Sequence, residues 1–192
     1  MNKNRNVPKL FISCGDFMKL GMFGGSFNPP TNAHLKLALQ TLKEFNLDKL
    51  IFVPVGDKYQ KPGLISEEHR LNMLREMCKP YTELVVSDIE LKLNKKLSTI
   101  DIFHILTKTY EKDELYFIMG ADNIEKVTNE ILNNFKIIIL QRDNKNIIEH
   151  KNIYIIKNQE IMDCSSTKVR ENINSDILPK GVYEYIINNS LY

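Results

Sequence analysis

The sequence contains no tryptophan, few cysteines and no long run of apolar or like-charged residues. Because no indole ring is present, any aromatic stacking on a ligand has to use phenylalanine, tyrosine or backbone. The three cysteines are Cys14, Cys78 and Cys164, and they form no C-x-x-C pair and have no histidine at metal-ligand spacing. This pattern fits a reduced compartment and argues against a zinc site.

The apolar and charged segments are short as well. The stretch Leu10-Phe11-Ile12 is far too short for the core of a signal peptide, and no later apolar run approaches the ~20 residues of a membrane helix. The formal net charge is +2, with lysine and arginine scattered among acids, so no long basic face is offered to nucleic acid or anionic lipid. We expect a cytoplasmic protein with a small-molecule partner, no nucleic-acid partner and no membrane partner. The oligomeric state stays open, a homo-oligomer included.

What the sequence does contain is an alternation of strand-like and helical segments. Its composition is ordinary for a globular protein, at 43% hydrophobic and 26% charged residues. From residue 19 onward the alternation predicts an α/β protein with a Rossmann-like open parallel sheet and helices on both faces. The predicted strands span residues 19–23, 49–55, 84–91, 114–119, 136–140 and 152–156. No repeat or linker divides the chain, so we expect one domain over residues 18–192.

Residues 1–17 lie outside this alternation. They precede Met18, which has the appearance of a natural start. We therefore expect an N-terminal extension that is either a disordered tail or the product of an upstream start codon, and we assign it no function.

Three helices are predicted from local signals. Apolar residues recur at helical spacing over residues 35–45, after the first strand. Ser66, followed by two glutamates, marks the start of a second helix, and Ser98 with Asp101 resembles a capping box that opens a third. The first helix joins the first two strands into a βαβ unit.

The turn after the first strand is the first candidate site, because ligands bind beyond the carboxyl ends of parallel strands. Gly24 and Gly25 stand there, where glycine permits positive φ and close approach of backbone to a phosphate. Pro29 and Pro30 stiffen the turn into the helix, whose first position favours proline. His34 follows about one helical turn later. The turn matches neither G-x-G-x-x-G nor a Walker loop, and alone it is equally compatible with a plain strand end beside a structural histidine.

Two segments resemble the signatures of nucleotidyltransferases. Residues 24–34, GGSFNPPTNAH, are similar to G-x-F-[DN]-P-x-[HT]-x-x-H, and residues 164–170, CSSTKVR, are similar to I-S-S-T-x-x-R. Further segments resemble nicotinate and nicotinamide mononucleotide adenylyltransferases in particular, at residues 54–65, 69–70, 120–122 and 185–192. The matches occur in order and at compatible spacing, so the sequence is identified as a member of that family, with the nucleotidyltransferase type of fold.

The resemblance implies that the protein transfers the adenylyl group of ATP to nicotinate mononucleotide, giving deamido-NAD and pyrophosphate in NAD biosynthesis. The 5′-phosphate of the mononucleotide attacks the α-phosphorus in line, with no covalent enzyme intermediate. For such chemistry the protein mainly has to position the two substrates and to stabilise negative charge. Mg²⁺ is implied, bound mainly through the ATP phosphates.

The resemblance also implies roles for individual residues. The implied catalytic residues are His34 at the α-phosphate, Lys61 at a phosphate and Arg170 at the leaving phosphates. The implied ATP site consists of Gly24, Gly25, Ser26, Phe27, His34, Gly120, Asp122, Ser165, Ser166, Thr167 and Arg170, and the implied mononucleotide site of Ser26, Tyr59, Lys61 and Thr99. Taken alone, the serines and Asp122 are equally compatible with helix caps, and Lys61 with a solvated lysine.

Departures from the family pattern leave alternatives open. Thr31 stands where many members have a histidine, and T-N-x-H also occurs in phosphopantetheine adenylyltransferases, although residues 57–65 and 165–170 argue against that acceptor. Relatives often stack a tryptophan on the pyridine ring, and residues 123–135, where it is expected, contain none. Nicotinamide mononucleotide is another acceptor to consider. A non-catalytic nucleotide-binding regulator on the same fold is a further alternative, opposed by the joint presence of the three catalytic candidates.

We expect nicotinate mononucleotide to be preferred over the nicotinamide form. A helix that begins near Ser98 and Thr99 presents N–H groups and the positive end of its dipole to the ring carboxylate. Lys92, Lys95 and Lys96 add positive charge just before it. An amide in place of the carboxylate leaves some of these donors unmatched.

Overall fold

The computed structural model describes residues 17–58, 61–93, 97–141, 149–157 and 166–192. Within these ranges one sheet is formed by β1 Lys19–Gly25, β2 Lys49–Pro54, β3 Leu84–Val86, β4 Glu114–Gly120, β5 Lys136–Gln141 and β6 Ile153–Lys157. The strand order is β3-β2-β1-β4-β5-β6, and every neighbouring pair is parallel. The predicted α/β fold with an open parallel sheet is confirmed.

The helices connect and flank these strands. They are α1 Asn32–Phe45, α2 Glu67–Cys78, α3 Ile89–Leu93, α4 Thr99–Thr109, α5 Asn129–Asn134, α6 Ser166–Glu171 and α7 Lys180–Asn188, with 3-10 helices at Ala121–Lys126 and Ser175–Ile177. The three predicted helix positions are confirmed, since α2 follows Ser66 and α4 opens with the Ser98–Asp101 capping box. Among the helices of the described ranges, none is long and apolar enough to cross a membrane.

The strands are apolar on both faces because helices cover both. Leu20 and Met22 of β1 point to one face, where they share a core cluster with Phe103 of α4. Phe23 points to the other face and packs in a cluster with Leu37 of α1 and with residues of α2, α6 and α7. Burial on both faces is what produces the continuous Ile, Val, Leu and Phe runs of a parallel sheet.

One predicted element is wrong in its second half. Residues 84–91 were expected to form a single strand, but β3 ends at Val86 and α3 begins at Ile89. Ser87 causes the turn, because its Oγ accepts from the Ile89 N–H at 3.3 Å. Asp88 then supports the helix through an ion pair with Lys92 at 2.9 Å. Short polar side chains offer the backbone such local alternatives to a sheet ladder.

The strand order places a crevice at a defined point. The chain runs outward from β1 to β3, then crosses back so that β4 lies on the other side of β1. This order, 3-2-1-4-5-6, leaves a gap beyond the carboxyl ends of β1 and β4, since their connections leave in opposite directions. A ligand site is expected at that gap.

Candidate active site

A cleft of about 490 Å³ lies at this gap. The predicted site residues that line it are Gly24, Gly25, Ser26, Phe27, His34, Lys61, Gly120, Ser166, Thr167 and Arg170. These residues come from four separate parts of the sequence, and the fold brings them to one place. Tyr59 and Ser165 lie outside the described residues, as do the side chains of Thr99 and Asp122.

The two glycines of the cleft wall are needed for space rather than for unusual dihedral angles. Neither Gly24 nor Gly25 has a positive φ, so that part of the prediction is wrong, and the left-handed residue of the turn is Phe27, at φ 47°. A Cβ on Gly25 would lie 2.9 Å from the Phe27 ring, which no real structure tolerates without a shift. A Cβ on Gly24 would meet no atom within 4 Å. Gly24 therefore faces open cleft, and Gly25 makes room for Phe27.

Phe27 supports the site from below. Its side chain is buried and makes edge contacts with Phe23 and Phe52, at ring-centroid distances of 5.6 and 5.3 Å. The same ring touches the His34 imidazole edge-on at 5.3 Å. An aromatic cluster of this kind fixes the position of the imidazole.

His34 is the third residue of α1 and belongs to its cap. The Thr31 N–H donates to His34 Nδ1 at 3.0 Å, and Thr31 Oγ1 lies 2.9 Å from the same nitrogen. Histidine thus occupies the place that Glu or Gln takes in a capping box. Because Nδ1 accepts from backbone, the proton of the neutral ring is assigned to Nε2. His34 is therefore both the structural histidine and a cleft residue.

The helix start differs from the prediction for the prolines. The first residue of α1 is Asn32 with Thr31 as N-cap, so Pro29 and Pro30 precede the helix and do not occupy its first turn. Their carbonyl groups remain available to other elements. The Pro29 carbonyl accepts from Ser166 Oγ at 2.8 Å.

The second signature docks on the first through α6. Besides the Ser166 contact, Arg170 Nη1 donates to the Asn28 carbonyl at 2.7 Å, and Nη2 donates to Thr167 Oγ1 at 3.1 Å. The Ser166–Pro29 and Arg170–Asn28 bonds join residues more than a hundred positions apart in the sequence. They orient the Arg170 guanidinium along the cleft wall, where a cation can meet a phosphate.

Asn28 is a site residue that the sequence reasoning quoted within a motif but gave no role. Its side chain is 5% exposed and donates from Nδ2 to the Gly63 carbonyl at 2.7 Å. Its Oδ1 accepts from the Tyr192 hydroxyl at 2.7 Å and from the Ile65 N–H at 3.4 Å. Asn28 thereby ties the turn after β1 to the loop that carries Lys61.

The sequence reasoning also missed two carboxyl groups, the half-buried Glu90 and the buried Glu67. Glu90 lines the cleft and its Oε2 accepts from the Gly56 N–H at 2.8 Å, while burial raises the pKa of this carboxyl. Glu67 is 2% exposed and accepts from the Asp57 N–H at 3.2 Å, and burial raises its pKa from 4.5 to about 7. Their sequence signal was weak, because both lie at helix starts where acids are common. In the described ranges no group of three His, Cys, Asp or Glu residues is placed to hold a metal ion.

Comparisons with known proteins show the family and the fold of this chain. Probable nicotinate-nucleotide adenylyltransferases from Carboxydothermus hydrogenoformans and Fusobacterium nucleatum are 37% and 35% identical, covering 91% and 82% of this chain and 98% and 89% of theirs. A structure of Plasmodium falciparum nicotinic acid mononucleotide adenylyltransferase complexed with NaAD has the same fold, with a TM-score of 0.74 at 20% identity over 91% of this chain and 97% of that one. The sequence profile of the cytidylyltransferase-like family matches residues 22–172, and the chain belongs to that family.

Proposed function

We propose that the protein is a nicotinate-nucleotide adenylyltransferase, which transfers the adenylyl group of ATP to nicotinate mononucleotide and releases pyrophosphate. The observation that carries the proposal is the convergence of His34, Lys61 and Arg170 with the open Gly24 wall on one cleft. Relatives that match over nearly their full length carry the name of this activity. Both supports point to the same reaction class.

The reaction needs few chemical groups from the protein. An oxygen of the mononucleotide 5′-phosphate forms a bond to the α-phosphorus of ATP, and the bond from that phosphorus to the bridging oxygen of the β-phosphate breaks. Negative charge grows on the leaving pyrophosphate and around the α-phosphorus. Fixed donors aimed at these positions lower the barrier most, and alignment of the two phosphates supplies much of the rest.

The cleft residues suit these two tasks. His34 donates from Nε2 to an α-phosphate oxygen, since its Nδ1 is already bound to Thr31. Lys61 lies on the loop after β2, opposite the turn after β1, and neutralises the phosphate of the acceptor. Arg170, with Ser166 and Thr167 beside it, binds the departing phosphates.

The remaining assignments form part of the same proposal. The backbone of Gly24, Gly25, Ser26 and Phe27 borders the triphosphate, Gly120 and Asp122 serve the ATP ribose, and Ser26, Tyr59 and Thr99 serve the mononucleotide. Mg²⁺ enters with ATP and is held by phosphate oxygens and water, as this hard cation commonly is in such sites.

A release assay tests the proposal. The purified protein is mixed with ATP, Mg²⁺ and one of three acceptors: nicotinate mononucleotide, nicotinamide mononucleotide or phosphopantetheine. We expect pyrophosphate and a dinucleotide product with a pyridine mononucleotide only. Pyrophosphate release with phosphopantetheine alone, or ATP binding without turnover on any acceptor, would overturn the proposal.

A further inference from the structure

Arg70 is the largest side chain that is fully buried in the described residues. It lies in the first turn of α2, below the cleft, and its guanidinium has three hydrogen-bond acceptors. Nε donates to the Ile65 carbonyl at 3.0 Å, Nη1 to the Ser26 carbonyl at 3.1 Å and Nη2 to Asp57 Oδ1 at 3.2 Å. One side chain therefore binds the turn after β1 and both ends of the loop after β2.

The two segments joined by Arg70 carry residues with different tasks in the proposed reaction, one at ATP and one at the phosphate of the acceptor. Ser26 sits between the Gly24-Gly25 wall and the helix that holds His34. The loop from Asp57 to Ile65 carries Lys61. Asn28 makes a second tie between the same segments, at Gly63 and Ile65. Arg70 and Asn28 thus both hold the turn after β1 against the loop that carries Lys61.

The chemistry of arginine suits this position better than that of any other residue. Its planar fork presents several donors in fixed directions, whereas lysine offers one point charge on a flexible stem. Asp57, whose side chain is 52% exposed, pairs with Arg70, and the carboxyl groups of Glu67 and Glu90 lie close enough to interact with the guanidinium. Burying a cation is costly, and an apolar side chain of similar volume often serves stability equally well. A role in fixing the two segments accounts for the burial of a charge at this place.

We propose that Arg70 is a positioning residue for adenylyl transfer. It holds the Ser26 turn and the Lys61 loop at the spacing that brings the acceptor phosphate in line with the α-phosphate of ATP. This inference rests on the proposed function, because it assigns Arg70 to the alignment step of that reaction. Arg70 touches neither substrate and acts through the two backbone segments that it joins.

The test compares Arg70→Lys with a control on the same helix. Leu74→Ala removes a buried apolar side chain of α2 that cannot hydrogen-bond to either segment, so it reports the effect of lost packing on stability. Both variants and the parent protein are assayed well below their Tm values with ATP and nicotinate mononucleotide. We expect Arg70→Lys to lower kcat by about tenfold to a hundredfold while KM for ATP changes by less than about threefold. Leu74→Ala should lower Tm and leave kcat near that of the parent.

A second readout does not depend on turnover. Hydrogen exchange measured by mass spectrometry should show faster exchange in peptides that cover residues 24–28 and 61–65 of Arg70→Lys. The same peptides should exchange at the parent rate in Leu74→Ala. Asp57→Ala, which removes one of the three acceptors of Arg70 together with the acceptor of the Glu67 N–H, should show a smaller loss of kcat in the same direction, and it serves if Arg70→Lys does not fold.

Each outcome separates the two proposals. An inactive parent protein whose Arg70→Lys variant still exchanges faster in both peptides would refute the proposed function and with it the catalytic meaning of the Arg70 contacts. An active parent with unchanged kcat in both Arg70→Lys and Asp57→Ala would refute the positioning role alone. Equal loss of kcat in Leu74→Ala and Arg70→Lys would show that stability, and not alignment, is what Arg70 supplies.

Discussion

At the scale of single residues, His34 meets two requirements that usually fall to different side chains: it caps α1 and it presents a ring nitrogen to the cleft. Its Nδ1 completes the cap of α1 through the Thr31 N–H, and the same bond directs the protonated nitrogen away from the helix. Losing the side chain should therefore affect both stability and the reaction, and the two effects can be separated by substitution.

His34→Ala should lower kcat by about a hundredfold or more, since the proposed function makes His34 a donor to the α-phosphate that matters most in the transition state. ATP binding should change little, and the lost cap should cost about 1 kcal/mol of stability. His34→Gln is the matched control, because glutamine also accepts from the N-cap N–H in a capping box. Thermal unfolding and steady-state kinetics should show near-parent stability with low kcat for His34→Gln. An active His34→Ala would refute the assignment.

The proposed function gives Arg170 a charge-assisted contact to the leaving phosphates, so Arg170→Ala should chiefly weaken the use of ATP and the binding of pyrophosphate. Loss of the Asn28 carbonyl contact should also loosen the docking of α6. Arg75→Ala, an exposed arginine of α2, is the control for a lost surface charge. Kinetics with varied ATP and product inhibition by pyrophosphate measure the effect. A change confined to the KM of the acceptor would contradict the placement of Arg170 at the leaving phosphates of ATP.

At the scale of elements, the start of α2 carries the buried acid Glu67. Its carboxyl has a pKa of about 7 in the folded protein, raised chiefly by burial, against an ordinary value of 4.5. Between these two values the folded state binds more protons than the unfolded state, so stability falls as pH rises from about 5 to 7. The full penalty is present above pH 7, and it disappears at low pH.

Glu67→Gln should remove this penalty while keeping an acceptor for the Asp57 N–H. The difference in the free energy of unfolding between Glu67→Gln and the parent should therefore grow from pH 5 to pH 8, reaching roughly 1–3 kcal/mol in favour of the variant. Denaturant unfolding at a series of pH values measures it. A pH-independent difference would mean that Glu67 is not buried as a neutral acid.

The start of α4 bears on the choice of acceptor. The capping box uses the N–H groups of Ser98 and Asp101, and helix geometry leaves those of Thr99 and Ile100 without an intrahelical acceptor. Lys92 pairs with Asp88, so it adds less positive charge than the sequence suggests, and Lys95 and Lys96 lie outside the described residues. We still expect kcat/KM for nicotinate mononucleotide to exceed that for the nicotinamide form by roughly tenfold to a hundredfold. Measuring both acceptors under one set of conditions tests this, and equal values would contradict the role given to α4.

The elements also show where sequence reasoning succeeds and fails. The strands and the starts of α2 and α4 were predictable because period, burial and capping residues act locally. The strand predicted over residues 84–91 failed because Ser87 turns the chain with one side-chain bond that alternation does not reveal. Arg70 was quoted in a motif and its purpose was missed, because its partners Ser26 and Asp57 are joined to it only by the tertiary fold.

At the scale of the whole molecule, the strand order explains why separate signatures form one site. The turn after β1, the loop after β2 and the end of β4 meet at the carboxyl edge of the sheet, and α6 closes over them through Asn28 and Pro29. Motif spacing could predict which residues meet. It could not predict the cluster of Asp57, Glu67 and Glu90 beneath them, since no pattern along the chain links those acids.

The position of β1 between β2 and β4 has a consequence for how the protein is made. On the ribosome, β1, β2 and β3 emerge first, while Lys19 must wait for Glu114 before the other edge of β1 is paired. Until then a strand with Leu20, Met22 and Phe23 has an open edge, the kind of surface that chaperones cover and that aggregates form on. The nascent chain also lacks Gly120 and α6, which line the cleft, so the site to which a nucleotide would bind and stabilise it is incomplete. In the proposed function, ATP therefore stabilises only the finished molecule, and the early half of the chain keeps this open edge until β4 has emerged.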